Sequence, residues 1–175
     1  MTMRIADRLL GIIFLSAASL SANAQPGTAD AQTAADFFLG ACLGAVDDLS
    51  VLDQRAGRDN WTPLMDPSQP DSGPIKLHGM WRVAGQNGAT YTVAAAVGPH
   101  NKASCQVAFS DPKPDRDAFV AALGKTITLK STIDTTAPDL RTEMFQIASS
   151  PPKNLTLQMA SSGGAVFEAT ILGPP

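Results

Sequence analysis

Two cysteines, Cys42 and Cys105, constrain this chain more than any other feature, because each falls on an apolar face and they stand 63 positions apart. Cys42 belongs to a stripe of Ala34, Phe37, Phe38, Ala41, Ala45, Val46 and Leu49, the three-and-four spacing of an amphipathic helix. Cys105 belongs to a set with Ala103, Val107 and Phe109 that alternates with Ser104, Gln106, Ala108 and Ser110, the two-residue period of a strand. A helix and a strand that both turn a cysteine toward the core predict a helix laid across a sheet and pinned there by a disulfide. A crosslink over a loop of that length removes about 4 kcal/mol of freedom from the unfolded chain on the chain-entropy model.

A disulfide needs an oxidising compartment, and the first residues supply a route to one. Arg4 and Arg8 around Asp7, the apolar run Leu9 to Leu20, and Ser21-Ala22-Asn23-Ala24 have the order of a bacterial secretory signal. The run falls short of the roughly 20 residues that a spanning helix needs. Cleavage at Ala24-Gln25 exposes glutamine rather than a cysteine that could take lipid. The expectation is a periplasmic or secreted protein with no membrane anchor after cleavage. Removing residues 1–24 from the 175 leaves 151, the size of one domain. Losing Arg4, Arg8 and Asp7 from 13 basic and 16 acidic residues leaves 11 and 15, a net charge of −4. An acidic surface without a basic cluster excludes nucleic acid and anionic lipid as partners.

Residues 25–32 lack an apolar period and read as a flexible leader, so residues 33–175 are taken as one α+β domain. Thr33-Ala34-Ala35-Asp36 has capping-box spacing and predicts a helix start at Thr33. Leu52 and Ala56 extend the stripe to a stop at Gly57, as a second short helix if the chain breaks near Asp47 and Asp48. The prolines at 63, 67, 70 and 74 predict an exposed loop over 62–74. Leu77 to Ala84 and Ala89 to Val97 form a hairpin around Gln86-Asn87-Gly88. A three-residue turn with Gly88 left-handed pairs Val83 with Tyr91, Trp81 with Val93 and Leu77 with Val97, which gives one clean apolar face. After the Cys105 strand, Asp115 caps a short helix through Phe119 and Leu123 that ends at Gly124. Runs around Ile127–Ile133, Phe145–Ile147, Leu155–Met159 and Ala165–Ile171 complete an antiparallel sheet of about six to seven strands, the last two as a hairpin around Ser161-Ser162-Gly163-Gly164.

Residues able to carry chemistry are few. Gly40-Ala41-Cys42-Leu43-Gly44 has the form of a nucleophile elbow, but no strand precedes it, and the helical stripe makes Cys42 half of a disulfide instead. His78 is expected on the polar face of the first hairpin with Met80, Arg82, Thr90 and Thr92, and His100 in the turn Gly98-Pro99-His100-Asn101. His78, Arg82, Thr90, Thr92 and His100 form a possible polar patch. Two histidines without a placed carboxylate make no metal site, and no cofactor fingerprint is present. Asp111, Asp115 and Asp117 are interrupted by Pro112 and Pro114 and lack calcium-loop spacing. Asn60-Trp61-Thr62 and Asn154-Leu155-Thr156 are glycosylation sequons in form only. Ser161, Ser162, Gly163 and Gly164 form a candidate partner loop.

With Phe37 and Phe38 ahead of Cys42, then Ala56-Gly57 and Trp61, Trp81, Cys105, and Phe119 to Gly124, the chain resembles a loose group of uncharacterised small exported proteobacterial proteins. Three residues separate Gly57 from Trp61, where that group tends to have the two adjacent. The resemblance implies export and the disulfide, and it brings no activity with it. The reading is a non-catalytic periplasmic or secreted binding or accessory protein, with an unknown protein or small-molecule partner in the cell envelope. The alternatives are a periplasmic inhibitor or immunity protein for an exported enzyme, and a small hydrolase that depends on Cys42 or a histidine.

Overall fold

The computed structural model describes residues 30–65, 74–110, 113–137, 140–148, 155–162 and 166–173. The expected signal segment 1–24 and residues 25–29 of the expected leader lie outside them. Helix α1 (Ala31–Cys42) starts two residues before the capping-box spacing predicts. Asp30, not Thr33, caps it: one carboxylate oxygen accepts from the Gln32 amide at 3.1 Å and the other from the Thr33 hydroxyl at 2.6 Å. A carboxylate at the cap meets the orphan amides and the positive end of the helix at once. The chain turns after Cys42, and the Asp48 carboxylate accepts from the Ser50 amide at 3.0 Å to open α2 (Ser50–Arg58). That side-chain bond competes with the helical ladder where the break is expected.

The end of α2 lies beyond Gly57. Asn60 takes the left-handed conformation, φ 55°, and the Trp61 amide donates to the Ala56 carbonyl at 2.9 Å, the six-to-one bond of a Schellman end. From there the chain does not loop freely. Thr62–Pro63 form strand β1 on the edge of β2 (Lys76–Ala84), opposite Arg82 and Trp81. Proline is tolerated because β1 is itself an edge strand. Residues 66–73 of the expected loop lie outside the described residues.

β2 and β3 (Thr90–Val97) pair around a turn in which Gly88 has φ 78°. Val83 faces Tyr91 and Trp81 faces Val93, as the apolar pattern predicts, but Leu77 faces Ala96 instead of Val97. A bulge at His78 takes up the extra residue. β4 (Ala103–Phe109), helix α3 (Arg116–Leu123), β5 (Thr128–Ala137), β6 (Leu140–Ala148), β7 (Leu155–Ser162) and β8 (Val166–Leu172) follow. Asp115 caps α3 by accepting from the Ala118 amide at 2.9 Å, and Gly124 closes it.

All eight strands form one antiparallel sheet in the order β1-β2-β3-β4-β8-β7-β6-β5, so the fold is α+β, and the strand beyond the expected seven is β1. Two meanders, β2-β3-β4 and β6-β7-β8, meet at their last strands, and β1 and β5 are the outer edges. The helices lie on one face. Cys42 of α1 and Cys105 of β4 are fully buried and joined by a disulfide, with Cα atoms 5.3 Å apart. Around it an aromatic run ties the layers together: Phe37 to Tyr91 at 4.7 Å, Tyr91 to Phe109 at 5.3 Å, Phe109 to Phe119 at 5.3 Å and Phe119 to Phe167 at 5.1 Å. Glu143 on β6 is the buried charged residue of the described core. Arg116 at the start of α3 and Arg141 hold it in ion pairs, which satisfy a charge that burial alone would penalise.

Replacing both cysteines by alanine is expected to lower stability by about 4 kcal/mol in urea unfolding, and the native oxidised protein is expected to label no thiol before reduction. The Asp30→Ala variant is expected to lose about 1 kcal/mol at neutral pH. The Thr33 hydroxyl and the Gln32 amide hold the Asp30 carboxyl below its ordinary value of 3.8. The cap therefore stabilises above that value and its contribution fades as the pH falls below it. The difference between wild type and variant should shrink in acid unfolding measured below pH 3.8.

Candidate functional site

The Schellman end of α2 sets the geometry of the β1–β2 edge. It aims Trp61 into the core, where its ring lies 6.2 Å from Trp81 and 5.9 Å from Phe37. The Arg55 guanidinium stands 5.7 Å from the Trp61 ring and 5.9 Å from the Phe37 ring, paired with Asp59 at 3.4 Å. Beyond β1, the Leu64 amide donates to the Met80 carbonyl at 2.8 Å, which draws Met65 in beside β2.

The bulge then decides where His78 goes. In a regular strand His78 would share a face with Met80 and Arg82. With Leu77 opposite Ala96 and Gly79 opposite Ala95, His78 is the unpaired extra residue, and such a residue is re-aimed. Its Nε2 lies 3.0 Å from an Asp53 carboxylate oxygen on α2. Trp81 folds its ring back over Gly79, where a Cβ would stand 2.3 Å from the indole. Asp53, Pro63, Met65, His78, Gly79, Met80 and Trp81 thus enclose a cleft of 180 Å³.

A second cleft of 210 Å³ lies on the other side of β1. Its polar lining includes Asp59, Asn60, Thr62, Arg82 and Thr90. Arg58 lies 2.7 Å from Asp59, and its hydrogen bond holds that carboxyl below the ordinary range. Asp48, at the start of α2, is likewise lowered, first by its hydrogen bonds from Ser50 and in lesser part by the charge of His78. Burial pushes the Tyr91 hydroxyl above its ordinary value, so it stays a neutral part of the core wall.

The expected polar patch is therefore divided. Arg82 and Thr90 line the second cleft, and Thr92 faces Arg82 across the β2–β3 ladder. His78 has left that face for the helix layer. His100 lies in a turn at Pro99–Asn101, at the end of the hairpin where Lys76 pairs with Val97. Ser161 and Ser162 are strand residues opposite Phe167 and Val166, whereas Gly163 and Gly164 lie outside the described residues. The residue that sequence reasoning misses is Asp53. Its place in the first turn of a short helix is readable, but its meeting with His78 depends on the bulge.

The cleft's side chains offer an imidazole, a carboxylate, two thioethers and an indole. None of the described lining residues carries a hydroxyl, thiol or amine that could attack a carbonyl. The described residues hold no free cysteine and no cluster of three His, Cys, Asp or Glu side chains placed for a metal. No helix among them is long and apolar enough to cross a membrane. Compared with protein families, curated proteins and solved structures, the chain matches none.

Gly79→Ala should force the Trp81 ring out of its place. The expected cost is about 1–3 kcal/mol, the range for overpacking, with a red shift of tryptophan emission as the indole meets water.

Proposed function

We propose that this chain is an exported, non-catalytic binding protein of the bacterial periplasm, and that the cleft between α2, β1 and β2 receives its ligand. The observation that carries the reading is the His78–Asp53 pair at 3.0 Å in a cleft walled by Met65, Met80, Pro63 and Trp81. An imidazole oriented by a carboxylate is a strong polar anchor, and apolar walls with one such anchor are how small binding sites are built. A covalent route through a serine- or cysteine-type nucleophile would need a hydroxyl or thiol beside the pair, and the described lining carries neither. The disulfide fits an oxidising compartment, and with both sulfurs engaged it leaves no described thiol for cysteine catalysis.

Two measurements test this. Cell fractionation with N-terminal sequencing should find the chain in the periplasm beginning at Gln25. Assays with ester, peptide, glycan and phosphate substrates should show no turnover above background. A turnover abolished by His78→Asn or Asp53→Asn would replace the binding reading with an enzymatic one.

A further inference from the structure

We propose that the sheet face turned away from the helices is a dimer interface, on which a second copy of this chain packs sheet to sheet about a two-fold axis that runs parallel to the strands between β3 and β4. This goes beyond the binding reading and does not depend on what the cleft receives.

The ladder registers fix which side chains share that face. One row across β2-β3-β4-β8 reads Arg82, Thr92, Ala108 and Glu168, with the two charges at its ends and small side chains between them. Three strand spacings, about 14 Å, separate the charges, too far for a pair within one chain. Among the described residues Arg55, Arg58, Arg116 and Arg141 all hold carboxylates, whereas Arg82 holds none. Glu168 accepts from a neutral donor, the Gln106 side-chain amide, at 2.8 Å. Rotation about the proposed axis keeps each row in line and exchanges β2 with β8 and β3 with β4. It therefore sets Arg82 of each copy over Glu168 of the other. An isologous contact requires that reciprocity, and here one symmetric contact supplies both missing partners.

The same rotation sets Leu77 of one copy over Leu172 of the other, since both lie in the row that passes through Ala96 and Ser104. Both leucines and Met80 are half-buried, yet none of the three belongs to the core or packs against it. Ala94, Ala96 and Ala108 keep the centre of the face low, which lets two sheets approach to about 10 Å with their strands aligned. With β1 falling over β7, six strands at about 4.8 Å and about seven residues at 3.3 Å give a face on the order of 700 Å². A standard interface takes about 800 Å² from each partner. The Arg82 row carries no net charge in a chain that is acidic as a whole, so two copies meet there without repulsion.

The test is sedimentation velocity of the mature oxidised chain from micromolar to submillimolar concentration, over which the mass should double. Arg82→Glu and Glu168→Arg should each weaken the dimer by about tenfold or more with an unchanged circular dichroism spectrum. The charge-exchanged double variant Arg82→Glu/Glu168→Arg should restore it. In a mixture of differently labelled wild-type copies, filtered nuclear Overhauser spectra should connect Leu77 methyls of one copy with Leu172 methyls of the other, a readout that needs no variant. A monomer throughout the range, a dimer indifferent to both single exchanges, a folded double variant that stays monomeric, or a dimer without the Leu77–Leu172 contact would each overturn the proposal.

Discussion

The packing of α1 across β4, locked by the Cys42–Cys105 disulfide, is the contact on which the rest of the fold depends. An open eight-stranded sheet cannot bury both of its faces with three short helices, so the chain covers one. α1 and α3 lie over the junction where the two meanders meet, at β4 and β8, and the rings of Phe37, Tyr91, Phe109, Phe119 and Phe167 fill the space between the layers. Each such ring pair adds about 0.5–1.5 kcal/mol beyond its burial, and the Phe37–Tyr91 pair exists only while α1 stays in place. The covalent link removes the competing arrangements in which α1 detaches. The other sheet face carries small and polar side chains such as Ala94, Ala96, Ser104, Gln106 and Ala108, which tolerate water.

Regular elements build this core, whereas irregular ones build the cleft. The Schellman end at Asn60 fixes where the chain leaves α2, β1 fixes its path along β2, and the bulge at His78 turns a side chain from one face to the other. Gly79 completes the set by leaving room for the Trp81 ring. The bulge leaves His78 unpaired in the ladder, and Asn60 takes a left-handed conformation. Together they bring residues from three separate elements within reach of each other, which no single amphipathic pattern does.

That division explains what the sequence made legible. The disulfide, the antiparallel α+β class, the Tyr91 register and the faces of β4 follow from periodicity, because burying one face of a helix or strand leaves a repeating mark. The Leu77 end of the β2–β3 register, the eighth strand and the Asp53–His78 meeting leave none. Period-two alternation predicts Leu77 opposite Val97 and keeps His78 with Arg82, and only a one-residue bulge changes both. Pro63 argues against a strand unless the strand lies at an edge, a fact of tertiary position. Asp30 displaced Thr33 as the helix cap because a carboxylate competes better for the first amides, and the Thr33 hydroxyl became its donor instead.

The two edges of the sheet are protected differently, and the difference places the cleft. β5 is ten residues long but bulges at Thr132 and carries Lys130 and Asp134, features that discourage another strand from pairing there. β2 is shielded by a strand of only two residues, closed by proline. Because β1 and the Leu64 amide cover β2 only around Met80 to Arg82, gaps remain on both sides of that cover. The nine residues of β2 are too many for so short a partner. The two clefts are those gaps, and the bulge fills the wall of one of them with an imidazole rather than backbone.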